Sequence, residues 1–313
     1  MKVEKFFTHP LGIIIAAVGA TFLWGSAFPF IKLSYELLQI ESNEIGEQML
    51  FASYRFFLAG MLIFLFFTVM KRNMKLRLTA FRPMIKLGFF QTFLQYVLFY
   101  IGLSLSTGIQ GSIIAGTTSF FQILLAHFMY NNDKINFRKS IGLLIGFSGV
   151  ILVNITRGDL TLSLGLGEFL LMGAMLVGAF GNILARNEAR QFEVGYLTSY
   201  QMLFGSLGLF LVGFVMTQEI FPFVFTMKSA FILLYLAFLS SAGFILWNNV
   251  MKYNAVGQVS MYLFLVPVFG VFLSSVLLDE SVHFFVLVGL LLVTSGIIIV
   301  NKKKRQPRNK MAI

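Results

Sequence analysis

Long apolar runs separated by short polar stretches follow one another from residue 11 to residue 301. A helix needs about 20 apolar residues to cross the hydrocarbon core of a bilayer, and ten runs approach or reach that length. The pattern therefore predicts ten transmembrane helices, called segments 1 to 10, at residues 11–34, 48–70, 84–104, 108–130, 137–155, 165–186, 196–216, 229–251, 257–278 and 283–301. The polar breaks between them are too short to hold a soluble domain.

The order of residues in segments 4 and 5 returns in segments 9 and 10, about 146 residues later. Gly111-Ser112 and Gly257-Gln258 open matching apolar runs, and Ser148-Gly149 corresponds to Ser295-Gly296. Ten segments divide into two sets of five, and an odd number of crossings gives the two halves opposite orientations. We therefore expect an inverted repeat, with a first five-helix repeat at 1–155, a second at 156–301 and a basic tail at 302–313.

Composition supports an all-α integral membrane protein. The chain of 313 residues is 58% hydrophobic and 12% charged, with a mean hydropathy of +0.84, which a soluble domain cannot accommodate. It has no cysteine, which excludes disulfides and thiolate metal sites. Its three histidines, His9, His127 and His283, are far apart, so we expect neither a metal site nor a cofactor.

The distribution of the basic residues predicts how the chain is oriented. With both termini in the cytoplasm, the inside loops and tail hold 20 lysines and arginines, whereas the outside loops hold only Arg157 and Lys228. This partition follows the positive-inside rule for a multi-pass protein of the cell membrane. The net charge of +11 therefore reflects orientation in the lipid bilayer, and we expect no nucleic-acid partner. The small residues at Ala17–Ala20 also fit a cleaved signal peptide, but the apolar run continues through Phe30, which favours a retained helix.

Two basic side chains lie inside the predicted segments. Arg55 lies about two turns into segment 2, and Lys32 lies near the outer end of segment 1 with Glu36 one turn later. Because a charge inside the membrane is costly unless it is paired or hydrated, either one is a candidate to meet an anionic group such as a substrate carboxylate. The alternatives are that Lys32 pairs with Glu36 or reaches the membrane surface, and that Arg55 caps carbonyls between helices. No carboxylate lies at a midplane, which argues against a buried proton relay.

Polar and aromatic residues near the middle of several segments are candidates to line a substrate pocket. Segment 3 carries four of them on one side, and the complete set of candidates is Trp24, Gln91, Gln95, Tyr96, Tyr100, Asn182, Trp247 and Asn248, with Thr117, Thr118, Ser119 and Gln122 of segment 4 as further polar groups. Aromatic walls with a few amides suit a neutral or zwitterionic organic solute. Hydrogen bonding between helices is the alternative role. The glycines of segments 5 and 10 indicate close packing, or the face of a homodimer, rather than a pocket.

Several motifs together resemble the EamA-type, ten-helix transporters of the drug/metabolite transporter superfamily. The matching pieces are Trp24-Gly25-Ser26-Ala27-Phe28 through Lys32, Tyr54-Arg55-Phe56-Phe57-Leu58-Ala59-Gly60, Pro267-Val268-Phe269 and Leu278-Asp279-Glu280. The resemblance covers residues 11 to 301 and implies export or exchange of small metabolites, often amino acids. The chain departs from two-fold symmetry where Phe121 corresponds to Pro267 and Val177 to Trp24, and from the usual family Gly-Glu at Asn132-Asp133.

The leading hypothesis is therefore a secondary transporter, most simply an exporter, that moves a small organic metabolite by alternating access. Multidrug efflux of lipophilic cations is an alternative, but it calls for an acidic pocket residue that the segments do not place well. An integral-membrane enzyme is a second alternative. We do not expect one, because the chain has no HExxH, no GxSxG and no glycine-rich phosphate loop.

Overall fold

All ten predicted segments are helical in the computed structural model, which describes residues 2–131, 134–153, 155–156, 161–162 and 165–301. The helices are numbered with the segments. They are α1 (Pro10–Leu38), α2 (Ile45–Val69), α3 (Leu78–Ser104), α4 (Gly108–Met129), α5 (Phe137–Val153), α6 (Leu166–Glu188), α7 (Val194–Thr217), α8 (Met227–Tyr253), α9 (Val256–Leu277) and α10 (Phe284–Asn301). A short N-terminal helix, Lys2–Thr8, precedes them, and the two-residue strands Ile155–Thr156 and Thr161–Leu162 pair antiparallel between α5 and α6.

Eight of these helices, α1–α4 and α6–α9, are long and apolar enough to cross a membrane. Helix α5 has 17 residues, and the apolar helix within α10 is Phe284–Gly296. The protein is thus a bundle of membrane helices with one short two-stranded ribbon, and ten crossings remain a prediction.

The start of segment 3 is the largest difference from the predicted helix bounds. The sequence places it at residue 84, whereas the helix begins at Leu78. The first turns are amphipathic: Ala80 and Met84 are buried against α7, while Arg82 and Lys86 stay exposed. The charged residues of this stretch therefore resemble a loop in the sequence, although they lie on the outer side of a helix.

Contacts between loops sort the two ends of the bundle into separate faces. On the face where α1 begins, called the N-terminal face, the Asn254 amide donates to the Phe7 carbonyl at 2.9 Å, and Arg72 pairs with Glu193 at 3.4 Å. On the opposite face, the hydroxyl of Ser106 donates to Glu168 at 3.1 Å. The connections α2–α3, α6–α7 and α8–α9 thus lie on the N-terminal face, and α3–α4 lies on the other. Helix α1 begins on the N-terminal face and its counterpart α6 begins on the opposite one, as an inverted repeat requires.

Helices α5 and α10 pack closely against each other. A Cβ on Gly296 would lie 2.6 Å from the carbonyl oxygen of Gly142, so only glycine allows the two backbones this close. This contact agrees with the packing role predicted for the glycines of these helices. Several predicted features lie outside the described residues, namely Asn132-Asp133, Arg157 and the basic tail from Lys302.

Candidate functional site

A central cavity of about 70 Å³ lies between the first five and the last five helices. Helices α1–α4 supply its lining from the first half, and α6, α8 and α9 supply it from the second. The lining residues are Trp24, Ala27, Phe28, Arg55, Gln95, Tyr96, Phe99, Ala115, Thr118, Met175, Gly178, Asn182, Phe244, Leu263 and Val266. Pockets for drug-sized ligands measure about 300–1,000 Å³. The cavity therefore suits a small solute, or must widen for a larger one.

Arg55 is the charged side chain of this cavity, and it is 1% exposed. Its Nε donates to the Ser240 hydroxyl at 2.8 Å and to the Leu236 carbonyl at 3.3 Å, and its Nη1 donates to the Tyr100 hydroxyl at 3.1 Å. The guanidinium also lies 5.0 Å from the ring centroid of Phe56. Arg55 therefore caps a carbonyl between helices, as one hypothesis proposed, and also presents its cation to the cavity.

Two polar atoms at the cavity wall are buried without a hydrogen-bond partner in the described part of the chain. They are Nε1 of Trp24 and Oε1 of Gln95. Leaving a buried donor or acceptor unpaired costs about 1–3 kcal/mol, so such atoms mark places where a ligand or water can bind. The cavity thus offers one donor and one acceptor in addition to the guanidinium.

Two glycines make room for these side chains. A Cβ on Gly178 would lie 2.7 Å from Nε2 of Gln95, and one on Gly243 would lie 2.9 Å from Nε1 of Trp24. Both distances are shorter than real contacts allow. The sizes of residues 178 and 243 therefore position the two unpartnered groups.

A chain of side-chain hydrogen bonds lies beside the cavity toward the N-terminal face. Gln91 donates to Asn182 at 2.7 Å, Asn182 to Gln122 at 2.8 Å, and Gln122 to Ser260 at 2.6 Å. We call these four residues the amide chain. Each bond joins a helix of the first half (α3 or α4) to one of the second (α6 or α9). The two halves cannot separate on this side without breaking it.

The helices are irregular at the level of the cavity. In α3 the stretch Phe89–Leu94 is a π-helix directly before Gln95, α4 is interrupted at Gly116, and α9 has a 3₁₀ stretch at Ser260–Phe264. Such irregularities inside long helices often accompany function. The interruptions in α4 and α9 fall at corresponding places in the two halves.

The structure divides the predicted pocket residues into two groups. Trp24, Arg55, Gln95, Tyr96 and Asn182 line the cavity together. The others lie outside the lining: Gln91 belongs to the amide chain, Tyr100 binds Arg55, Trp247 is fully buried behind Trp24, and Asn248 donates to Thr198 at 3.0 Å.

Lys32 lies away from the cavity. Among the described residues it forms no ion pair with Glu36; its electrostatic partner is the carboxylate of Glu280. That carboxylate also accepts the backbone N–H groups of Gly108 at 2.8 Å and Ile109 at 2.7 Å. Glu280 thus holds the α9–α10 connection to the beginning of α4 on the face opposite the N-terminus.

Sequence reasoning missed the apolar part of the lining. Phe28, Phe99, Met175 and Phe244 form much of the wall. In a membrane segment an apolar residue facing lipid looks the same as one facing a cavity, so the sequence held no signal for them. Thr118 lines the cavity and was among the further polar groups of segment 4.

None of the acidic residues that the structure describes lines this cavity. Its lining contains no aspartate or glutamate, and the buried Glu168 sits at the start of α6, where it accepts the Gly165 N–H at 2.8 Å. Within the described part of the chain, no group of three or more His, Cys, Asp or Glu residues is arranged to hold a metal ion.

The protein is a helical bundle with apolar exterior surfaces, and a cavity with a few polar side chains lies between its two halves. This is the architecture of a membrane transporter. The sequence profile of the EamA-like transporter family matches the chain twice, at residues 11–155 and 165–302. The chain belongs to the EamA-like transporter family, and it is a multi-pass membrane transporter.

Comparison with individual proteins agrees with this assignment. The uncharacterized transporter YyaM of Bacillus subtilis (strain 168) is 25% identical over 305 residues, covering 95% of this chain and 96% of its own. A second, YvbV, is 26% identical over 292 residues, covering 90% of this chain and 89% of its own. One crystal structure superimposes with a TM-score of 0.69 at 14% identity, covering 91% of this chain and 94% of the other, and shows a shared fold.

Proposed function

We propose that the protein exports a small organic solute, an amino acid or a related neutral or zwitterionic compound, by alternating access across the cell membrane. The observation that carries this proposal is the central cavity, which both halves line and which contains Arg55, Gln95 and Trp24. The export direction rests on the family resemblance. In this proposal the chain crosses the membrane ten times with both termini in the cytoplasm.

Hydrogen bonds between the two halves on either side of the cavity support the proposed mechanism. The amide chain lies toward the N-terminal face. Toward the other face, Arg55 binds Ser240, Ser106 binds Glu168, and Glu280 binds the start of α4. A rocking motion that opens one side of the cavity has to break the hydrogen bonds on that side, and it can keep those on the other side. The two groups of hydrogen bonds would thus stabilise two states, each closed on one side, as alternating access requires.

The composition of the cavity counts against efflux of lipophilic cations. Such a substrate calls for an acid in the pocket, whereas this lining carries a guanidinium and no carboxylate. We propose that the protein is not an enzyme and that it acts on its solute only by moving it.

Untargeted metabolite profiling of cells with and without overexpression would identify candidate solutes, and flux into proteoliposomes would then test each one. Gln95→Leu should lower flux about tenfold, because it removes a cavity amide whose oxygen has no other partner. The matched control is Gln201→Leu. Gln201 is buried, its amide has no partner among the described residues, and it lies outside the cavity lining, so its replacement should leave flux unchanged. Normal flux in Gln95→Leu would remove this residue from the site.

Replacing Trp247 should affect stability, whereas replacing Gln95 should affect solute binding. The sequence predicts that Trp247→Ala impairs flux while the protein is expressed normally. Because the indole is fully buried and tilted against Trp24 at 5.7 Å, its truncation should cost about 3–5 kcal/mol of stability. Thermal unfolding of the purified variant, measured beside its flux, separates loss of fold from loss of binding.

A further inference from the structure

We propose that the central cavity recognises the carboxylate of its solute and makes no use of an ammonium group, so that its substrates are small organic monoanions with an apolar remainder. This proposal rests on the proposed transport function, and for the same cavity it replaces the neutral or zwitterionic solute given there with a monoanion.

The first step is that the charge of Arg55 is uncompensated. Arginine stays protonated in proteins. Among the residues that the structure describes, no carboxylate lies within ion-pair distance of Arg55, and its hydrogen bonds go to a carbonyl and two hydroxyls, which are neutral. A buried cation without a counterion is strongly unfavourable. An anion in the cavity removes that penalty.

The second step is the geometry of the guanidinium. Nε and Nη1 are held by Ser240, Leu236 and Tyr100, which fixes the plane of the group. These contacts use only part of its five N–H donors. The remaining donors are available to the two oxygens of a carboxylate, which is the group that a guanidinium matches best.

The third step is the absence of a negative charge for an ammonium group, since the unpartnered acceptor at the wall, Oε1 of Gln95, is neutral. The cavity lining has no aspartate or glutamate. The ring of Tyr96, a possible cation–π partner, already lies 5.8 Å from the Arg55 guanidinium. An ammonium entering a cavity of about 70 Å³ would stay close to that guanidinium and be repelled.

The rest of the wall defines the remainder of the solute. Phe28, Phe99 and Phe244 are apolar rings, and Met175 and Val266 add aliphatic surface. A short branched or unbranched hydrocarbon fits such a wall, and the volume sets a limit of a few carbon atoms unless the cavity widens.

Three probes that share one hydrocarbon and differ only in charge test the proposal. They are 3-methylbutanoate (a carboxylate), valine (a zwitterion) and 2-methylpropylamine (an ammonium). Binding to the purified full-length protein at pH 7 would be measured as a shift of the thermal unfolding midpoint and by calorimetric titration. We expect the carboxylate to bind at least as tightly as valine, and the amine to show no binding.

Arg55 variants connect that ranking to the guanidinium. Arg55→Gln should weaken carboxylate binding on the order of tenfold to a hundredfold, since a charge-assisted pair is lost, and Arg55→Lys should retain part of it. The matched control is Gln201→Leu. Gln201 follows Tyr200 as Arg55 follows Tyr54, 146 residues later, and it lies outside the cavity lining. Its replacement should leave binding unchanged.

The outcomes separate this inference from the proposed function. Tighter binding of valine than of 3-methylbutanoate, any binding of the amine, or no binding of the carboxylate overturns the inference. If the profiled solutes still move in proteoliposomes, the transport proposal survives that result. Should Arg55→Gln fail to fold, the order of the three probes' affinities for the unmodified protein is sufficient to test the inference.

Discussion

Arg55 and Gln201 occupy corresponding positions in α2 and α7, and their difference makes a symmetric scaffold chemically asymmetric. The residues before them keep the symmetry: the Tyr54 hydroxyl donates to the Ile220 carbonyl, and the Tyr200 hydroxyl donates to the Met74 carbonyl at 2.5 Å. Each tyrosine thus ties its helix to a loop of the other half. The cavity charge comes from one repeat alone.

Adding a single methyl group at Gly178 should disturb the cavity. Gly178→Ala would place a Cβ 2.7 Å from Nε2 of Gln95 and push that amide from its position, so solute affinity should fall about tenfold. Gly173→Ala is the control on the same helix, because its Cβ would meet only Leu98 Cδ1 at an ordinary 3.5 Å. Equal solute affinity in both variants, measured by titration, would contradict the role given to Gln95.

The sequence predicts the polar residues of the cavity, but it also predicts pocket residues that lie outside the lining. Trp24, Arg55, Gln95, Tyr96 and Asn182 line it, whereas other residues from the same helix faces bind neighbouring helices instead. The spacing of polar residues tells which side of a helix faces protein. It does not tell whether the space opposite is filled, because that depends on helices distant in the chain.

At the scale of elements, the amide chain should hold the bundle closed toward the N-terminal face. Ser260→Ala removes the hydroxyl that accepts from the Gln122 amide at 2.6 Å and leaves only the longer contact to the Met251 sulfur at 3.4 Å. Because one hydrogen bond is worth about 1 kcal/mol, access from that face should rise about fivefold. The native chain has no cysteine, so a single cysteine introduced by Thr118→Cys can measure access to the cavity. Greater access should appear as faster labelling of this cysteine by a membrane-impermeant thiol reagent.

The control for this variant lies on the same helix. Ser274 is buried, and its hydroxyl has no partner in the described part of the chain, so Ser274→Ala should leave labelling unchanged. A Ser260→Ala variant that labels at the control rate would show that the amide chain does not restrict access.

Glu280 gives the corresponding prediction for the opposite face. Glu280→Gln removes the negative charge that binds two backbone N–H groups at the start of α4. Losing a charged partner at a helix N-terminus costs about 0.5–2 kcal/mol, so the unfolding midpoint should fall. Asp279→Asn is the control. Asp279 is exposed with φ of 52°, a conformation that asparagine tolerates. Equal midpoints in the two variants would argue against a holding role for Glu280.

For the whole molecule, the loop contacts group the connections into two faces, and the distribution of basic residues predicts that the N-terminal face meets the cytoplasm. Single cysteines at two exposed loop positions test this, Lys75→Cys on the N-terminal face and Asn43→Cys in the α1–α2 connection. In intact cells an impermeant reagent should label the second variant and not the first. A reporter fused after residue 310 should be active only in the cytoplasm. The reverse pattern would invert the proposed orientation.

The apolar runs alone specify ten helices, their order and their duplication, since the length and composition of each run are local properties that the bilayer constrains directly. Where the cavity lies and what lines it depend instead on how the helices pack. Phe99 and Phe244 face the cavity while Trp247 is packed behind it, although all three are aromatic residues in membrane helices. The difference arises from how helices far apart in the chain meet, and from the glycines at 178 and 243, which leave room for the side chains of Gln95 and Trp24.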